Sequence, residues 1–159
     1  MNKFTIAAAL AATSILSACG GEADAPAQGQ VEGTLPGLAI TDARMVLAPV
    51  AGNPAAVYFE LAYDGDKATA IRGAEAANAK SAELHATMEW VNKIEMGESG
   101  PINLTKGTKE TFEPGGKHVM VFEPSADLKP GGKTEISLVV IGGDKHTFEA
   151  DIVAAGDER

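Results

Sequence analysis

The chain has 159 residues, with thirteen Lys plus Arg against twenty-two Asp plus Glu and a formal net charge of -9. That balance argues against nucleic acid as a partner, because phosphate binding needs clustered basic residues and none occur. A lone cysteine, Cys19, leaves no disulfide within the chain and no dithiol redox pair.

Lys3 supplies a short positive n-region, Phe4 to Ile15 an apolar h-region, and Leu16-Ser17-Ala18-Cys19 a small-residue cleavage site. Leu-Ser-Ala-Cys resembles a bacterial lipobox. Residues 1–18 are therefore expected to be a lipoprotein signal peptide, with Cys19 the lipidated first residue of the mature chain. Two or more acyl chains hold a protein stably on a membrane. The likeness to bacterial lipoproteins implies the periplasmic face of a membrane, and Gly20, rather than Asp, the outer membrane where the cell has one. From Gly20 to Leu35 the chain is rich in Gly, Ala, Gln and Glu, so residues 19–35 read as lipidated Cys plus flexible tether, spanning about 20 Å as a coil. Residues 36–155 are close to the usual length of one domain, and 156–159 form a tail. No second apolar run is long enough to cross a membrane.

Within the domain the apolar pattern has period 2. Val57, Phe59, Leu61 and Tyr63 fall on one face and Tyr58 and Glu60 on the other; Ile136, Leu138 and Val140 alternate likewise, as do Phe148, Ala150 and Ile152. Such segments between Gly/Pro turns predict an all-β sandwich or barrel. Asp64-Gly65-Asp66, Gly100-Pro101 and Gly142-Gly143-Asp144 mark turns. So do Glu113-Pro114-Gly115-Gly116-Lys117 and Lys129-Pro130-Gly131-Gly132-Lys133, where Pro fixes φ and the next Gly permits a positive φ. Ala74 to Ala82, with five alanines, fits either a helical turn or an irregular crossover.

His85, Met96, His118 and Met120 stand out from this background. The chain has three His and five Met in all, and four of those few fall into one spaced pattern. His118 and Met120, two apart on a strand that begins after the Pro114 turn, share a face, while Val119 and Val121 point to the core. His85 shares a face with Glu83, Thr87 and Glu89, opposite Leu84, Ala86, Met88 and Trp90. His85 and Met96 are equidistant from the Trp90-Val91 bond, so a hairpin turning there sets them directly opposite, with Cβ atoms about 5 Å apart. Strict pairing would also put Lys93 and Glu95 on the face of Leu84 and Met88, so a bulge or longer loop is expected to shift parity. Two imidazoles and two thioethers make a soft, uncharged set that suits monovalent copper. Met, unlike paired thiols, survives in an oxidising compartment. Met88 is expected in the core and His146 buried or at an edge, while Trp90 either covers the metal or fills the hairpin tip or core.

The spacing His85-x10-Met96-x21-His118-x-Met120 resembles the signature of the PCuAC family of periplasmic copper chaperones. Val57-Tyr58-Phe59-Glu60-Leu61, Glu83-Leu84-His85 and Pro114-Gly115-Gly116-Lys117-His118-Val119-Met120 resemble that family's surroundings, over roughly residues 36 to 155. The resemblance implies a cupredoxin-like β-sandwich or barrel. It implies one Cu(I) per chain in an exposed site of His85, Met96, His118 and Met120. It also implies delivery to an acceptor, such as the copper domain of cytochrome c oxidase or a Sco-type protein. Lys117 departs from it, standing where the family usually has an aromatic residue, and the chain lacks the His/Met-rich tail that some members carry.

The alternatives are a copper-buffering or resistance lipoprotein and a metal-free structural envelope lipoprotein. An enzyme is not expected. His85-Ala86-Thr87-Met88-Glu89 lacks the second histidine of a zinc-protease helix. No Gly-x-Ser-x-Gly occurs, and no second cysteine offers thiol chemistry.

Overall fold

Period-2 patterning resolves into ten strands, with no helix among the described residues. The computed structural model describes residues 34–90 and 93–157, without the side chains of 89, 90, 93 and 94. The strands are β1 (Leu38–Val46), β2 (Ala55–Tyr63), β3 (Thr69–Ala76), β4 (Ala79–Trp90), β5 (Lys93–Glu98), β6 (Ile102–Leu104), β7 (Thr108–Phe112), β8 (Lys117–Pro124), β9 (Lys133–Val140) and β10 (Lys145–Val153).

Their pairings close a barrel. The ring runs β4–β8–β2–β1–β10–β9–β3 and returns to β4 through one pair, Ala74↔Ala82. Strand β7 continues the wall where β8 leaves β2: Ala55 to Val57 pair with β8, and Phe59 to Tyr63 with β7. With β7 included, eight strands make the barrel. Strands β5 and β6 add to the outer edges of β4 and β3. The all-β expectation holds, in its closed form, and closure leaves edges only on the added strands β5 and β6.

The interior is what the alternation specifies. Val57, Phe59, Leu61 and Tyr63 are buried, as are Ile136, Leu138 and Val140, and Phe148, Ala150 and Ile152. Phe59 stacks on Phe112 at 4.1 Å between centroids and meets Phe148 edge-on at 5.2 Å, favourable aromatic geometries. Both Pro-Gly turns form as expected: Gly116 N–H bonds Glu113 O at 3.0 Å and Gly132 N–H bonds Lys129 O at 3.1 Å. Gly115 and Gly131 lie at φ +79° and +86°, the left-handed conformation that the third residue of a type II turn requires.

The alanine-rich stretch is neither a helical turn nor an irregular crossover but a tight β3–β4 connection at Ala77-Asn78, with Asn78 at φ 58°. Ala77 N–H bonds Glu135 O and Asn78 O accepts from Ser125 N–H. The connection thus spans from β9 to the chain after β8. Alanine carries little strand signal, and these long-range partners decide the local conformation.

His146 is buried at the start of β10, where its Nδ1 accepts the Leu35 N–H at 3.1 Å. Burial lowers its pKa from the ordinary value of 6.5.

Candidate metal centre

Strands β4 and β8 bring the two histidines together. Their antiparallel register pairs Glu83↔Met120, Leu84↔Val119 and His85↔His118, and directly paired residues share a face. Leu84, Val119 and Val121 face inward and are buried, so His85, His118 and Met120 lie on the outward face. The two imidazole centroids are 5.9 Å apart.

Strand β5 extends this face. The hairpin pairs Trp90↔Lys93, Thr87↔Met96 and His85↔Glu98. The expected direct pairing of His85 with Met96 is therefore wrong by two residues. Met96 faces Thr87 and is diagonal to His85, within reach of a long side chain. The cause is the centre of the hairpin, which falls one residue later than the Trp90-Val91 bond because Trp90 pairs with Lys93. A shift of two preserves parity, so Met96 stays on the histidine face, and all four candidates share one face of β5–β4–β8.

The expected parity-shifting bulge is absent from the β4–β5 ladder, and Glu95 does pair with Met88. No conflict results, because Met88 is not in the core. It is 51% exposed. The β4–β8 ladder ends at Ala86↔Lys117, and beyond that point β4 and β5 project as a two-stranded arm with no layer behind Met88.

The histidines differ in setting. His118 is 3% exposed, which corrects the expectation of a solvent-open site at this residue. Tyr58, from β2, lies 6.2 Å from it between ring centroids, and the Arg44 guanidinium lies over the Tyr58 ring at 5.4 Å. Burial lowers the His118 pKa, the bond to Gly116 opposes that shift, and the His85 charge adds to it. The ring is held neutral, the state in which it has a lone pair to offer.

Each imidazole has one nitrogen engaged. His118 Nδ1 lies 3.2 Å from Gly116 O; a carbonyl only accepts, so Nδ1 carries the proton and Nε2 the lone pair. Gly116 O also accepts the Thr87 N–H at 3.3 Å. The Pro-Gly-Gly turn therefore positions β4 and His118 with one carbonyl. His85 Nε2 lies 3.3 Å from Glu83 Oε2, which places the proton on Nε2 when His85 is neutral. Its Nδ1 is buried with no hydrogen-bond partner, as is Thr87 Oγ1 on the same face. An unpaired buried nitrogen costs about 1–3 kcal/mol and is the atom a metal would satisfy. A ring N–H held by a carboxylate or backbone carbonyl is the usual support for a metal-binding histidine.

Among the described residues no three of His, Cys, Asp and Glu gather as a metal-holding group. Met120 and Met96 are the thioethers on the same face as the two histidines. Met120 is partly buried beside Glu83 and Ala56, while Met96 is 57% exposed. Lys117 is tied to Glu110 at 2.6 Å. Cys19 lies outside the described residues, and so does the side chain of Trp90.

Sequence reasoning placed Glu83 on the histidine face without assigning it a role; its i, i+2 spacing to His85 was the available signal. Tyr58 carried no such signal, since it arrives from β2, distant in the chain; the Gly116 carbonyl is only two residues from His118 but reaches Thr87 across strands.

A family model described as putative lipoprotein LpqE-like matches residues 38–152. No curated protein matches this chain. Solved structures that resemble it include the copper-bound PCuAC domain from PmoF2, 20% identical, with a TM-score of 0.59 over 74% of this chain and 93% of that one. The apo PCuAC domain from PmoF1 is 24% identical, with a TM-score of 0.59 over 74% and 94%. The solution structure of CuI-DR1885 from Deinococcus radiodurans is 23% identical, with a TM-score of 0.53 over 82% and 84%. The expected likeness to PCuAC domains, with their cupredoxin-like barrel, holds in the fold.

Proposed function

Since this chain belongs to the LpqE-like family of putative lipoproteins and folds as PCuAC domains do, we propose that it is an extracytoplasmic copper carrier. It binds one Cu(I) through His85, His118, Met96 and Met120 and passes the ion to an acceptor. The acceptor we favour is the copper domain of cytochrome c oxidase or a Sco-type protein. Lipidated Cys19 and the tether of residues 19–35 hold the domain at the periplasmic face of a membrane.

The observation that carries this reading is the cross-strand His85–His118 pair, each ring with one nitrogen hydrogen-bonded and His85 Nδ1 buried without a partner. Imidazole suits several metals, but a set completed only by thioether sulfur selects Cu(I). Such a set binds without the closed thiolate cage of a store, so ligand exchange can release the ion. The chemistry is binding and transfer, with no substrate bond made or broken. The copper-bound and Cu(I) neighbours support the choice of metal.

Competition with a Cu(I) chelator tests it. His118→Ala is expected to lower Cu(I) affinity by about 1,000-fold, close to 4 kcal/mol, with far-UV circular dichroism unchanged. Wild-type affinity in that variant would refute the site. Copper-loaded protein mixed with the two apo acceptors should load one of them; retention against both would make the protein a buffer. Cys19→Ser should move the protein from the membrane fraction to the soluble fraction.

A further inference from the structure

The four candidate ligands are not equally held. His118 sits on β8, paired on one side to β4 and on the other to β2, and is buried. Met120 shares that strand and is half-buried. His85 is on β4 at the last stretch where β4 has neighbours on both sides. Met96 is on β5, an edge strand paired to β4 alone. It lies on the arm beyond the barrel and more than half of it meets solvent.

Of the four methionines among the described residues, Met45 is fully buried and Met120 partly so, whereas Met88 and Met96 are both more than half exposed. Both belong to this arm, on opposite faces of it. Thioethers ordinarily pack inside a protein. A two-stranded ribbon with one edge unpaired is also marginally stable by itself, so Met96 can move relative to the barrel at little cost.

Resting on the copper reading above, we propose that Met96 is the exit ligand: the thioether that leaves first when Cu(I) is handed on. His85, His118 and Met120 hold the ion during that step. The Cu–S bond to Met96 breaks as a Cu–S bond to a thiolate or thioether of the acceptor forms. Copper stays monovalent and no electron moves. Where the incoming donor is a thiol, its proton goes to solvent. The arm thus sets the side from which an acceptor approaches, because Met96 is the most exposed of the four candidates.

The test measures Cu(I) affinity against bicinchoninate, and release to a Cys-x-x-Cys peptide by stopped flow, for full-length wild type, Met96→Ala and Met120→Ala. Met96→Ala should raise the release rate about tenfold and weaken affinity by the same factor, leaving the association rate unchanged. Met120→Ala should weaken affinity at least tenfold further. X-ray absorption of copper-loaded Met96→Ala should show two nitrogens retained and one sulfur lost. An unchanged release rate in Met96→Ala, or a loss of affinity equal to that of Met120→Ala, would overturn the assignment. Failure of the wild type to hold Cu(I) against bicinchoninate would instead overturn the copper reading, so the two failures are distinct.

Discussion

Strand β4 passes through two environments, and the contrast explains most of the behaviour of the site. From Ala79 to Ala86 it is laid into the barrel against β8, with Thr87 still bonded to Gly116 O; from Met88 to Trp90 it pairs only with β5 among the described residues. Leu84 and Met88 have the same parity, yet Leu84 is 3% exposed and Met88 is 51% exposed. Alternation assigns a side chain to a face. Whether that face is covered depends on a second layer, and the arm has none. The histidines occupy the covered part of the strand system and Met96 the uncovered part, so one face combines a largely covered nitrogen pair with an exposed sulfur.

The sharpest way to break this comparison is to truncate both residues of like parity. Leu84→Ala should cost about 2–5 kcal/mol by urea denaturation, the usual range for a leucine removed from a packed core. If Leu84→Ala were neutral, the barrel part of β4 would not be core. Next in size is Thr87→Val, at the junction of the two regions. It removes a buried hydroxyl that has no partner and should stabilise the copper-free protein by about 1 kcal/mol, read as a higher Tm. A lower Tm would mean that the hydroxyl is already satisfied.

Acid should weaken the barrel through His146, away from the metal face. Its folded pKa lies below its ordinary value of 6.5 because of burial. Above that value both states are neutral and the stability is fully present. As pH falls through it the unfolded chain takes up the proton first, so stability declines. Protonation of Nδ1 also breaks the bond from Leu35 N–H. Urea midpoints between pH 8 and pH 5 should fall less steeply in His146→Gln than in wild type; parallel slopes would remove His146 as the cause. The smallest effect is expected for Met88→Ala, within about 0.5 kcal/mol as for surface substitutions generally. A cost near that of Leu84→Ala would show that the arm has a covered face after all.

Much of this was legible in the sequence, for identifiable reasons. Strand β2 alternates without interruption from Val57 to Tyr63, and the Pro114-Gly115 and Pro130-Gly131 pairs specify their turns. Strand β1 escaped notice because its register with β2 shifts between Thr41 and Arg44, where Asp42 adopts φ 53°. An extra residue at such a bulge cancels the period that sequence reading depends on. The hairpin register missed by two because the number of connecting residues is not written in the alternation. The burial of His118 was hidden too, since an outward parity says nothing of Tyr58 arriving from β2.

Ring closure through Ala74↔Ala82 has one more consequence. A cleft of about 260 Å³, lined by Arg72, Glu75, Glu83 and Glu98 among others, flanks that seam. Cooperative units open first where the fewest cross-strand bonds hold them, so amide hydrogens bordering β3 and β4 should exchange with deuterium ahead of those between β1 and β2. When the hoop parts there, the long β4–β8 ladder travels as one piece. The spacing of His85 and His118 is thereby insulated from the breathing of the wall beside it.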